Sequence, residues 1–290
     1  MKLWVLDERN AWWKAILEAG ARRGLRGQRI YTGEQCGDGL AFIRTHADPR
    51  RLRQNRLDYD VMAARADVFQ DRTQVQVYED KSAQFALWGD WMPATWRLTD
   101  EASALALLDG VEFPLVSKAD VGASSKNVRI LANRDQARAH VEEVFRRGVR
   151  VDHCAGAARS IQRGYVLLQR FVPHTVTWRV NAIGRGRAIF KRYCYPDRPV
   201  AQTGNVEPVM FLDDETESLL EYADRFFEVA GTRWCAIDVL RDGDRWMLLE
   251  TSLAFPWPSP GRCNEAMIFR TGKRWIEIFD VMFDEWLRTR

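Results

Sequence analysis

The chain has 290 residues, 46% hydrophobic and 29% charged, with a formal net charge of +3. That length can bury a large core in two or three lobes, and so small a charge does not demand a nucleic-acid partner. The five cysteines, Cys36, Cys154, Cys194, Cys235 and Cys263, are odd in number and widely spaced, and the four histidines are dispersed. Neither a zinc site nor a disulfide framework is supported. The 12 tryptophans predict core and lobe packing.

The N-terminus turns charged by Asp7 to Arg9, too early for a signal peptide, and no apolar run approaches a membrane span. A cytoplasmic protein is the expectation. Leu3 to Leu6 reads as a strand, Trp12 to Arg23 as a helix ending at Gly24, and Gln28 to Thr32 as a second strand. This β-α-β start predicts a small α/β lobe. Arg44 to Arg56 holds five arginines and reads as a solvated face or as an anion or nucleic-acid contact. Asp58 to Ala64 reads as a strand that leaves Arg65 at its end, where a ligand crevice could lie.

A helix is predicted from Asp80 to Trp88, stopped by Gly89 and Pro93, and another from Glu101 to Leu108. Phe113 to Lys118 and Asn127 to Leu131 read as strands around the polar loop Ala119 to Lys126. Its small residues Gly122, Ser124 and Ser125 would let backbone N–H groups converge on an anion, with Lys118 adding a point charge. An ordinary hairpin turn is the alternative. The loop is not a Walker A motif, since no Gly-Lys-Ser/Thr opens a helix.

Arg134 to Arg146 is helical and Tyr165 to Phe171 strand-like. Val176 to Ile183 and Ala188 to Tyr193 flank a Gly-Arg-Gly-Arg turn, and Asp214 to Ala230 is a helix with Leu219, Leu220, Ala223, Phe226 and Phe227 on one side. Ala236 to Leu240 and Trp246 to Ser252 form a hairpin around Arg241 to Arg245. Each of its apolar strands carries one acid, Asp238 and Glu250. Buried acids facing each other are costly, and a divalent cation between them, or pairing with arginine, resolves this. A proline-set loop, Phe255 to Gly261, and a helix from Trp275 to Trp286 close the chain.

Taken in order, Asp80 to Gly261 resembles the ATP-grasp superfamily, closest to the glutathione-synthetase and RimK-type carboxylate–amine ligases. The resemblance implies an α+β ATP-grasp fold, two subdomains gripping ATP, over residues 80–290, preceded by a small α/β lobe over 1–79. The smaller subdomain would span 80–168 and the larger 169–290. Lys81 is similar to the family's first lysine, and Lys118 with Gly122, Ser124 and Ser125 to the second lysine and its phosphate loop. Gln169, Arg170, Phe171 and Val172 look like the interlobe hinge that pairs with adenine. Thr177 to Val180 resembles an Asp-x-Arg-Val strand, which makes Arg179 catalytic, with Lys191 and Arg192 near the transferring phosphate and Asn205 in the matching loop. Asp238, Glu250 and Ser252 stand at the metal positions.

Three positions depart from the family pattern: Arg170 replaces an acid, Thr177 an Asp and Ser252 an Asn. The implied function is an ATP-dependent ligase joining a carboxylate to an amine through an acyl phosphate, releasing ADP and phosphate, with ATP and Mg2+ (or Mn2+) as cofactors. Its substrates would be small molecules or peptides, without a membrane or nucleic-acid partner. The oligomeric state is open, a dimer included. The alternatives are an ATP-grasp kinase and a nucleotide-binding regulatory module without turnover.

Overall fold

The structure is a computed structural model that describes residues 1–7, 12–45, 48–121, 127–152, 159–195, 198–256 and 262–289, with backbone only at 49, 50, 159, 195, 198–205 and 262. The first elements are β1 (Lys2–Leu6), α1 (Trp12–Ala21), β2 (Arg26–Ile30), β3 (Gly39–Ile43), α2 (Pro49–Ala63) and β4 (Ala66–Val68). Their four strands form a parallel sheet in the order β2-β1-β3-β4. Leu3, Trp4, Val5 and Leu6 are all buried, as expected of a parallel strand covered on both faces.

The expected strand over Asp58 to Ala64 is instead the last turns of α2. Leu52, Asn55, Tyr59 and Met62 are buried at helical spacing, and this overrides the local alternation. Arg65 consequently lies just past a helix. It donates to the Glu34 carbonyl at 3.0 Å and the Cys36 carbonyl at 3.2 Å, and so pins the segment before β3.

Helices α3 (Arg72–Val77) and α4 (Lys81–Trp88) lead into a second sheet. Its elements are β5 (Thr95–Leu98), α5 (Glu101–Leu107), β6 (Leu115–Lys118), β7 (Val128–Leu131), α6 (Arg134–Arg146), β8 (Val149–Asp152), β9 (Arg159–Gln162) and β10 (Val166–Arg170). The order β5-β10-β6-β7 is antiparallel throughout, with β8 and β9 a separate hairpin. Leu115, Leu131, Val166 and Leu168 bury one face of this sheet in a core shared with Ala137, Val141 and Val144 of α6.

The third sheet runs β13-β12-β11-β14-β15. It is built from β11 (Val176–Ile183), β12 (Gly186–Tyr195), β13 (Arg198–Pro208), β14 (Trp234–Asp242) and β15 (Arg245–Ser252), with α7 (Asp214–Ala230) between β13 and β14. The small pair β16 (Met267–Ile268) and β17 (Lys273–Arg274) precedes α8 (Ile278–Arg288). Helix α7 starts where the Asp213 carboxylate accepts from Thr216 N, has three acids in its first turn, and stops at Gly231 with φ 59°. Its buried side is the predicted one, Leu219, Leu220, Ala223, Phe226 and Phe227.

Two large cores flank the third sheet. One joins its β11 and β14 to the parallel sheet through aromatic rings. Trp234 stacks on Phe255 at 4.3 Å and meets Phe42 at 5.3 Å, Phe69 at 5.8 Å and Trp12 at 6.2 Å edge-on. Trp234→Ala should therefore lower stability by about 3–5 kcal/mol. Urea unfolding followed by circular dichroism checks this, and an unchanged midpoint would show that the rings do not join these sheets.

Candidate active site

Alternation along the third sheet places Thr177, Arg179, Arg192, Asp238 and Glu250 on one face. Arg179 opposes Asp238, Arg192 opposes Thr177, and Asp238 opposes Glu250. Asp238 is 6% exposed and receives three charged donors. Arg179 donates from Nε at 2.7 Å and from Nη2 at 2.8 Å, and Arg192 from Nη1 at 2.8 Å. Burial pushes the Asp238 carboxyl up, but Arg179 and then Arg192 outweigh it and hold the group well below the usual carboxylate range. Burial likewise opposes the charge on Arg179, and Asp238 overcomes it and raises the guanidinium. The two acids of the hairpin do face each other across the ladder, and arginines neutralise the more buried one.

The ladder slips beside these acids. Asp238 pairs with Glu250 and Val239 with Leu248, so Leu249 is an extra residue in β15. Its carbonyl accepts from Lys118 Nζ at 3.4 Å, across the boundary between the second and third sheets. Burial is the chief cause that lowers Lys118 to about 8, helped by Lys81 and opposed by Glu250 and Asp238. Lys81 lies 3.4 Å from Glu250 Oε2. Burial opposes its charge too, but Glu250 more than compensates and raises it.

Lys81 is held there by a residue that sequence reasoning missed. Gln84, one helical turn on and 2% exposed, donates to the Thr251 carbonyl at 3.1 Å and accepts from Thr251 N at 2.9 Å. It mimics a strand residue and clips α4 to β15. A polar residue three positions after Lys81, on the same helix face, was the available signal.

The ends of the predicted phosphate loop are also anchored by residues missed in the sequence. Asp120 accepts from Ser82 N at 3.0 Å, from Ser82 Oγ at 2.6 Å and from the Tyr165 hydroxyl. Asn127 Nδ2 donates to the Val121 carbonyl at 2.7 Å and the Asp152 carbonyl at 2.8 Å. Gly122, Ser124 and Ser125 lie outside the described residues.

The remaining expected residues separate. Lys191 does not join Arg192: as its chain neighbour it falls on the opposite face, with Nζ 5.2 Å from the Trp178 ring and 5.6 Å from that of Tyr193. Ser252 Oγ accepts from Ala254 N at 3.0 Å, on the strand that carries Glu250. Gln169 donates from Nε2 to Thr95 Oγ1 at 2.8 Å. Arg170 pairs with Asp242 at 2.5 Å, and its N–H donates to the Ala94 carbonyl at 2.8 Å. Phe171 lies 6.1 Å from the His174 ring, and the Val172 carbonyl accepts from His174 Nδ1 at 2.7 Å. Asn205 is described in backbone only. In the arginine-rich segment, Arg44 packs over the Trp12 ring at 4.6 Å and Arg56 donates to the Tyr78 carbonyl at 3.2 Å, so both turn inward.

Neither family profiles nor curated proteins match the chain. Solved structures do. A RimK-domain ATP-grasp protein from Sphaerobacter thermophilus is 18% identical, with a TM-score of 0.62 over 99% of this chain and 100% of that one. D-alanine–D-alanine ligase from Bacillus anthracis, complexed with ATP, is 12% identical, with a TM-score of 0.60 over 100% and 97%. The ATP-grasp ligase PsnB, complexed with minimal precursor, Mg and ADP, is 14% identical, with a TM-score of 0.62 over 98% and 96%. These full-length matches, with the antiparallel sheets that carry Lys118 on one side and Asp238 and Glu250 on the other, establish that the chain has the ATP-grasp fold.

Proposed function

We propose that the protein is an ATP-dependent carboxylate–amine ligase that works through an acyl phosphate. The observation that carries this is the meeting of Lys81 and Lys118 with Glu250 and the Leu249 bulge, beside Asp238 and its two arginines. Cations from one lobe and paired carboxylates from the other suit a nucleotide triphosphate with its metal. The matched ligases, one with ATP and one with Mg and ADP, support the same reading.

A carboxylate does not acylate amines at neutral pH. Transfer of the γ-phosphoryl group to a carboxylate oxygen breaks the bond to ADP and forms an acyl phosphate. The amine nitrogen then attacks the acyl carbon, phosphate leaves, and the nitrogen loses a proton. The protein contributes positioning and charge stabilisation. Lys81 and Lys118 bind phosphate oxygens, while Arg179 and Arg192 offset charge on the transferring group. Asp120 and Asn127 tie down the residues that flank the expected phosphate loop.

The donor set fits magnesium. Asp238 and Glu250 offer carboxylate oxygens in opposed register, and Ser252 adds a hydroxyl. Two carboxylates are a donor count that magnesium commonly takes from a protein. When bound, the ion supplies charge neutralisation at the phosphates. Asp238 and Glu250 would hold it, with Arg179 and Arg192 as the counterions already in place on Asp238.

The substrates are a carboxylate and an amine, free or within a peptide; the PsnB structure with precursor peptide makes a peptide a reasonable member of that class. No described helix is long and apolar enough to cross a membrane, and a cytoplasmic location is part of this proposal.

A screen of amino acids, dipeptides and amines with Mg-ATP tests the reaction. The expected products are ADP and phosphate, with turnover nearly abolished in Asp238→Asn while circular dichroism stays unchanged. AMP and pyrophosphate as products, or full activity of Asp238→Asn, would refute it.

The Lys118 ammonium adds a pH dependence. Its folded value of about 8 lies below the ordinary 10.5, so the buried charge is a stability cost below pH 8 that is relieved as pH rises toward 10.5. Nucleotide needs the charged form. Affinity for Mg-ATP should therefore be full below pH 8 and weaken above it by up to about tenfold per pH unit. Calorimetric titration across pH should show this in the wild type and a flat profile in Lys118→Met. A wild-type profile that is flat through pH 8–10 would remove Lys118 from the phosphate site.

A further inference from the structure

The second sheet has two faces, and the nucleotide reading uses one. In β6, Ser117 shares the face of buried Leu115, while Lys118 points the other way. Ser117 pairs with Arg129 of β7, so Arg129 shares that second face. The same face is apolar at Leu115, Leu131, Val166 and Leu168, where α5 and α6 cover it. Beside this apolar area sits a buried polar pair. Ser117 Oγ lies 2.7 Å from His140 Nε2, and each residue is 6% exposed. Polar groups kept on a helix-covered face are costly, and this pair has no part in the nucleotide chemistry.

The direction of the pair follows from its third member. Arg129 Nη1 lies 3.4 Å from His140 Nδ1. A guanidinium only donates, so Nδ1 accepts. Burial and the Arg129 charge keep the ring neutral, with its pKa pushed down to about 4. The ring proton is then on Nε2 and is donated to Ser117 Oγ. Ser117 keeps its own O–H as a donor.

These groups line a pocket of about 290 Å³ together with Lys118, Asn127, Arg150, Asp152 and Gln162. Arg129 lies 3.6 Å from Glu143, which is also paired with Arg147 at 2.9 Å, and Arg150 lies 3.2 Å from Asp152. A guanidinium has five N–H donors, so these contacts occupy a minority of them.

We propose that this pocket binds a small oxyanion, a phosphate monoester or a carboxylate, held by Arg129 and Arg150 with Ser117 Oγ–H as the buried donor. The volume is near the lower end of ordinary ligand sites, about 300 Å³, and suits a ligand of few heavy atoms. Lys118 borders the pocket from its strand, while alternation in β6 and β7 turns Ser117 and Arg129 onto the helix-covered face, and the proposal does not rest on the nucleotide reading. Asn127 lines the pocket, joins the Val121 and Asp152 carbonyls and accepts from Asp152 N at 3.0 Å.

Isothermal titration of the full chain with inorganic phosphate, and separately with acetate, tests the site. Saturable binding of at least one anion is expected. It should weaken by at least about tenfold in Arg129→Gln and in Arg150→Gln, the scale of a lost charge-assisted hydrogen bond, and persist in Lys81→Met, which alters the nucleotide site without touching this pocket. Binding of phosphate alone assigns a phosphate ester, acetate alone a carboxylate, and both a shared oxyanion site. Absence of saturable binding, or binding that both arginine variants retain, overturns the proposal.

Discussion

The site depends on how one buried charge is neutralised. Asp238 sits in the first strand of an apolar hairpin, and an unpaired carboxylate there would protonate or destabilise the fold rather than stay charged. Arg179 from the adjacent strand and Arg192 from the next supply three charged hydrogen bonds. Strand order β12-β11-β14 and the register Arg179 to Asp238 are thus tied to one electrostatic requirement. The same triad presents two guanidinium groups and a carboxylate on a single face, the arrangement a phosphate with a counter-cation needs.

The lobes meet through polar contacts to the neighbouring strand, β15. The Leu249 bulge turns a carbonyl toward Lys118, Gln84 clips α4 to the Thr251 peptide, and Arg170 reaches Asp242 at the far end of the hairpin. Among the described residues the second sheet shares neither core of the third, although Trp88 of α4 packs into one of them against Phe226. The parallel sheet is joined differently, through the ring cluster around Trp234. The parallel sheet is thus cemented to the third sheet by aromatic rings, while the second sheet meets it through hydrogen bonds and an ion pair.

Much of this was legible in the sequence because it rests on local pattern. The hairpin of Asp238 and Glu250, the turn between β11 and β12, and α6 and α7 with their caps all follow from periodicity and end signals. Among the described residues Trp12, Trp88, Trp178, Trp234, Trp275 and Trp286 pack the cores, as the number of tryptophans suggested. What escaped depends on register and long-range partners. Alternation places Arg192 on the site and Lys191 off it only once Thr177 is known to oppose Arg192. The Leu249 bulge has no local signature, and Gln84 gains meaning only from Thr251. Helix α2 was misread through the alternation of Asp58 to Met62, although Asp48-Pro49 is a helix start signal. The strand β13, rich in Gly and Pro residues, read as loop; its edge position tolerates both.

The central claim is that the charged face of the third sheet, closed by Lys81 of α4 and Lys118 of the second sheet, receives a nucleotide triphosphate together with a metal. Equilibrium binding of a non-hydrolysable ATP analogue, with and without magnesium, tests it most directly in the wild type and in Glu250→Gln. The account predicts saturable binding that magnesium tightens by at least about tenfold, with that gain lost in Glu250→Gln. Absence of saturable binding, or binding indifferent to both magnesium and Glu250, would contradict it.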